Sequence, residues 1–154
     1  MAWSASKIFS AFVTDCFNNT AALDLNTDTI KAALYNNTTA PDQTVASAST
    51  AYNAGQWTTS NELSNGGWSA GGLALGTISS GFSSNVYTFD AADTANGSAA
   101  TISGAFGCLV YEDTLTTPVA DQGICFNYFG GTNSVTAGTL TIVWNASGIF
   151  ALTL

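Results

Sequence analysis

Two apolar stretches in the second half of the chain, Phe106–Tyr111 and Gly123–Phe129, constrain its fold more than any other feature. Each has the length of a strand and lacks the polar alternation of a half-exposed one, as expected of central strands buried on both faces. The first ends at Glu112-Asp113 and the second at Gly130-Gly131, so turn signals bound them. A sheet covered on both sides must therefore be built around them.

The flanking sequence supplies further strands. Leu73, Leu75 and Thr77-Ile78 suggest one, Val86 to Phe89 another, and Ala99 to Ile102 the lead-in to a third. Gly130 to Gly138 reads as a turn region. Leu140 to Trp144 and Ile149 to Leu154, separated by four residues from Asn145 to Gly148, predict a closing hairpin. Ahead of these, Ile30, Ala32 and Leu34 alternate with Lys31, Ala33 and Tyr35, a strand pattern running from Asp28 to Asn36.

One helix is predicted, over residues 5–18. Ile8, Phe9, Phe12, Val13, Cys16 and Phe17 share a face at helical spacing, and Asn18, Asn19 and Thr20 end it. Val45 to Tyr52 fits a short helix less clearly. Residues 53–72 form an irregular segment in which Gly55, Gly66, Gly67, Gly71 and Gly72 surround Trp57 and Trp68, with a short strand expected near Trp57. Long irregular segments are uncommon and often functional. The expectation is a single domain over 1–154, mainly β: an antiparallel β-sandwich with a short N-terminal α-helix and a β-rich half at 73–154.

Composition decides what such a domain can do. Only 8% of the 154 residues are charged, against about 25% in an ordinary soluble domain. Its exterior must be covered by hydroxyls, amides and glycine, which suits solvent-facing strands and surfaces covered by other subunits. The net charge is −8 and the only cations are Lys7 and Lys31. Two lysines cannot form the basic patch that phosphate-backbone binding requires, so no nucleic-acid partner is expected. Anionic membranes are disfavoured for the same reason, and no apolar run reaches the roughly 20 residues of a membrane span. The start fits a secretory signal poorly, so assembly in a cytoplasm without processing is expected.

Catalytic equipment is thin. Histidine, the commonest general base, is absent. The carboxylate pairs Asp90/Asp93 and Glu112/Asp113 could in principle serve glycoside hydrolysis or hold calcium, but the favoured reading is turn residues bonding their own backbone. Cys16, Cys108 and Cys125 match no zinc spacing. They read as small buried apolar side chains, with a Cys108–Cys125 bridge as the alternative. No cofactor is expected. The candidate partner-contact residues are Phe9 and Phe12 on the helix, and Tyr52, Trp57 and Trp68 in or near the irregular segment. Against this stands the reading that these aromatics simply anchor the core.

The C-terminal half carries a resemblance. Gly104 to Thr114 (GAFGCLVYEDT), Ile124 to Gly131 (ICFNYFGG) and Gly138 to Phe150 (GTLTIVWNASGIF) together resemble virion structural proteins of tailed bacteriophages, especially small head-decoration or minor capsid proteins. The aromatic helix followed by a strand ending near Tyr35-Asn36 resembles the same group. The resemblance implies a non-enzymatic protein that decorates the capsid exterior and stabilises the assembled shell. Its partner would be the major capsid protein, and a homo-oligomer, such as a trimer at a symmetry axis, would be expected. The rival expectations are a tail or fibre component that binds host-surface glycans through Trp57 and Trp68, and a glycosidase using Asp90 with Glu112.

Overall fold

A computed structural model describes residues 3–154. The chain is mainly β, with 40% strand and 8% helix, and every strand pairing is antiparallel. Its elements run β1 (Lys7–Ile8), α1 (Ser10–Phe17), β2 (Ile30–Tyr35), α2 (Ser47–Thr50), β3 (Glu62–Leu63), β4 (Leu73–Ala74), β5 (Ser79–Ser83), β6 (Val86–Asp90), β7 (Thr94–Ala95), β8 (Ala100–Glu112), β9 (Gly123–Gly138), β10 (Thr141–Ile142) and β11 (Phe150–Thr153).

The two apolar stretches lie side by side at the centre of a six-stranded sheet. Its order is β1-β9-β8-β2, with β3 and β4 both pairing the far edge of β2. Cys108, Leu109 and Val110 on β8 are fully buried, as strands covered on both faces must be. A three-stranded sheet, β11-β6-β5, and the two-stranded β10-β7 ladder complete the β structure.

Register assigns the faces, because directly opposed residues share one. Ala33, Leu109 and Phe126 are opposed in turn across β2, β8 and β9. On their face sits an aromatic nest: Trp57 contacts Tyr35 with ring centroids 5.0 Å apart, and Phe9 and Trp3 lie 5.4 and 6.1 Å from Phe126. Leu34, Cys108 and Asn127 form a row on the opposite face. Asn127 Nδ2 donates there to the Ile149 carbonyl (3.4 Å), and Ile149 N donates to the Phe89 carbonyl (2.8 Å), tying the six-stranded sheet to the three-stranded one. One continuous core holds residues from every sheet.

Several expectations are corrected. The helix is shorter than 5–18, because Lys7 and Ile8 pair with Phe126 and Cys125 as an edge strand and Phe9 N donates to the Ile124 carbonyl (3.1 Å). Backbone engaged with a sheet cannot begin a helix, so α1 starts at Ser10. It ends where the sequence places the end, with Asn18 as cap and Asn19 at φ 54°, a left-handed conformation that asparagine tolerates.

The closing hairpin does not form. Its turn exists, with Gly148 N donating to Asn145 O (2.7 Å), but Thr141 and Ile142 pair with β7 whereas Phe150 to Thr153 pair with β6. Gly148, at φ 97°, redirects the chain, and a side chain there would press on the Phe89 carbonyl. The segment 130–138 is not a turn: β9 continues through it, and successive register shifts against β8 absorb the extra residues. The short strand of the irregular segment is Glu62–Leu63, not at Trp57.

Candidate functional site

The aromatic side chains expected to meet partners are mostly interior. Phe9, Trp57 and Trp68 have no exposed surface and Phe12 retains 5%. This corrects their assignment as contact residues: their large apolar area is removed from water by the fold itself. Neither Trp57 nor Trp68 offers a ring face on which a sugar could stack. Tyr52 is half-buried. Its ring stacks on Tyr111 with centroids 5.0 Å apart, and its hydroxyl donates to Glu62 Oε2 (2.8 Å). Burial, followed by the neighbouring Glu62 carboxylate, pushes the Tyr52 phenol up to about 12. Glu62 Oε1 accepts from Gly71 N (2.6 Å), and Tyr111 OH donates to the Gly71 carbonyl (2.7 Å). This knot fastens the irregular segment to the sheet, which is a structural use of all four residues.

The carboxylates also serve their own backbone. Asp90 Oδ1 accepts from Ala91 N (2.9 Å), and Asp93 Oδ1 accepts from Trp144 N (3.1 Å). Glu112 is 1% exposed, and its carboxylate accepts from the N–H groups of Thr114 (2.7 Å) and Leu115. Asp113 pairs with Lys31 at 2.7 Å. Asp90 and Glu112 lie in different sheets, on β6 and β8. Among the described residues no three His, Cys, Asp or Glu side chains converge, and no helix is long and apolar enough to cross a membrane. Cys108 and Cys125 are free buried thiols, while Cys16, read from sequence as buried, is exposed on α1.

Two open grooves of about 500 Å³ mark the surface. The first lies between α1 and the three-stranded sheet, walled by Phe12, Val13, Phe17, Leu23, Tyr87 and Leu152. The Cys16 thiol beside it, exposed but partly desolvated by the groove wall, is held above its usual range by that desolvation and by Asp15, the reverse of an activated nucleophile. The second groove lies between the later part of β9 and residues 139–143, walled by Tyr128, Phe129, Val135, Leu140 and Val143. No protein-family model, curated protein or solved structure matches this chain.

The second groove belongs to a wider surface with one distinctive property. No Asp, Glu, Lys or Arg occurs from Gln122 to Leu154. All ten acidic residues and both lysines precede that stretch, so the later part of β9 and the segment after it present only amides, hydroxyls and apolar groups. Val143, 72% exposed, is the most prominent apolar side chain on this surface apart from Leu154 at the chain end. Residues 129–138 and Val143 are therefore the interaction candidates that reading for aromatics misses. Their signal in the sequence is the missing charge.

Proposed function

We propose that this chain is a non-enzymatic virion structural protein of a tailed bacteriophage. In this reading it decorates the capsid exterior as a homo-oligomer and stabilises the assembled shell through contacts with the major capsid protein. One observation carries the reading beyond the resemblance in residues 104–150: the aromatics Phe9, Phe12, Trp57 and Trp68 lie in the interior, while the later part of β9 and Val143 are exposed and carry no charged side chain. Such a surface suits repeated docking, because interface cores are depleted in charge. The acidic remainder would be repelled by packaged nucleic acid, which favours the outer side of a shell.

A subunit that binds only the assembled state stabilises it by mass action, by about 2.7 kcal/mol per site at a free concentration one hundred times the dissociation constant. The test is cosedimentation of the purified protein with capsids lacking it. The expected outcome is saturation at a fixed ratio to the major capsid protein, with a higher capsid disruption temperature. Recovery of the native protein solely in tail fractions would overturn the proposal.

A further inference from the structure

The geometry points to a second copy of this chain as the occupant of the uncharged surface formed by the later part of β9 and residues 139–143, the two copies meeting about a two-fold axis. This deepens the homo-oligomer part of the reading above, and it is tested without capsids, so either can fail alone.

Three observations converge on that surface. First, β9 is paired on both sides only near its start. β1 covers Phe126 and Cys125, and the Tyr128 N–H ends on Ser6 Oγ (3.0 Å). From Phe129 to Gly138, among the described residues, β8 is the only strand paired with it. Two usual protections of an open edge, lysine and proline, are absent from this stretch, and the register shifts against β8 are the one such device it carries. Second, the groove beside that edge is walled by Tyr128, Phe129, Leu140 and Val143, so apolar area lies next to unpaired backbone.

Third, the charge distribution selects the partner. With a net charge of −8, two copies approaching through most of their surface bring carboxylates together. Like charges facing each other across an interface cost several kcal/mol. The residues after Asp121 carry no charged side chain, so copies touching there bring the fewest carboxylates together. One carboxylate does reach the rim: Asp93 Oδ1 accepts from Trp144 N (3.1 Å). A charged partner would leave its own ions desolvated against this surface, whereas the same stretch of a second copy brings only uncharged side chains to it. A two-fold contact places the same patch on both sides and closes on itself. Such a pair can in turn be the unit of a larger ring.

Sedimentation velocity of the full chain over graded concentrations tests the inference. A concentration-dependent dimer is expected. Thr132→Asp and Val143→Asp each set a carboxylate facing its own copy, and each should raise the dimer dissociation constant about tenfold or more, equivalent to roughly 1.4 kcal/mol. Both positions are exposed, so the melting temperature of the monomer should hold; Thr132→Asp alone suffices if the Val143 variant misfolds. Phe17→Ser and Phe82→Ser, at exposed apolar positions elsewhere, should leave dimerisation intact. A wild-type chain that stays monomeric overturns the inference. So does a dimer weakened by the Phe17 or Phe82 change but not by the two aspartates.

Discussion

The indole of Trp3 occupies the space that a side chain on Gly107 would fill. A Cβ built there would stand 2.7 Å from Cε3 of Trp3, closer still to Cζ3, and 2.5 Å from the Asn127 carbonyl oxygen. Trp3 is fully buried, and its Nε1 donates to the Asn36 carbonyl (3.0 Å). Trp3 is thereby locked onto the centre of β8, where the absence of a side chain makes a slot for an aromatic ring.

Gly107→Ala should therefore destabilise the fold by about 1–3 kcal/mol, the usual cost of overpacking a filled core. Trp3→Ala should cost about 3–5 kcal/mol through the opposite fault, a cavity. The double variant should be less destabilised than the sum, because removing the ring relieves the ring's share of the clash and leaves only that with the Asn127 carbonyl. Chemical denaturation of the four proteins measures the coupling. Strict additivity would show that Trp3 does not fill the slot.

Tyr35 and Trp57 give a second test. The Tyr35 hydroxyl, buried beneath the aromatic nest, donates to the Trp57 carbonyl at 2.8 Å. Tyr35→Phe keeps the ring contact but leaves that carbonyl without its partner. The expected loss is about 1–3 kcal/mol, or a drop of roughly 2–4 °C in melting temperature per kcal/mol for a chain of this size. Thermal unfolding followed by tryptophan fluorescence reads it directly.

These contacts also explain which parts of the fold the sequence discloses. β2, β6, β8 and the start of β9 carry apolar runs or alternation, and burial preserves that signal. β5, Ser-Ser-Gly-Phe-Ser, has no periodicity, because both its faces are largely in water. The false hairpin at residues 140–154 arises because spacing reports a turn but not which sheet receives each arm. The irregular segment misleads for a related reason. Its glycines look like flexible punctuation, yet a Cβ on Gly67 would stand 2.8 Å from the Ser98 carbonyl carbon, and one on Gly72 would stand 2.6 Å from Ala33 N. Gly67 and Gly72 mark close packing in a segment whose Trp57 and Trp68 are interior. The uncharged stretch after Asp121 was legible throughout, but its meaning depends on the exposure of 129–138, which is a tertiary fact.

The thiols provide a third prediction. Cys108 is pushed up to about 12 and Cys125 well above its ordinary value, both chiefly by burial. A thiolate is the reactive form, so neither should react with a disulfide reagent in the native protein at pH 8. Cys16, the exposed one, alone should react, and slowly, because partial desolvation and Asp15 also raise its thiol. One thiol per chain before unfolding and three after is the expected titration. Two or more native equivalents would contradict the packing of β8 against β9.

Asp121 yields a prediction with a definite pH dependence. Burial, and then the Asp113 carboxylate, raise its carboxyl above the ordinary aspartate value, with Lys31 opposing them. A carboxyl whose folded pKa exceeds its unfolded one holds its proton more tightly when folded. Its ionisation therefore costs stability, and the cost grows as pH rises from the unfolded pKa through the folded one. Below that window the cost vanishes. Asp121 also sits at φ 56°, and its carbonyl accepts from Tyr52 N (3.0 Å), so the substitution must tolerate a left-handed backbone. Asparagine does so. Asp121→Asn should thus melt higher than wild type at pH 7 and equal to it at about pH 3, where the wild-type carboxyl is protonated. The size of the gain is limited by the solvent that still reaches this side chain. Asp24 and Asp42 run the other way: hydrogen bonds from nearby backbone hold their carboxyls low, so their contributions are present at neutral pH and fade as acid protonates them. Both variants share that acid loss, so the difference between their melting curves isolates Asp121. A difference that is constant from pH 3 to pH 7 would mean that the substitution acts through the turn and not through the charge.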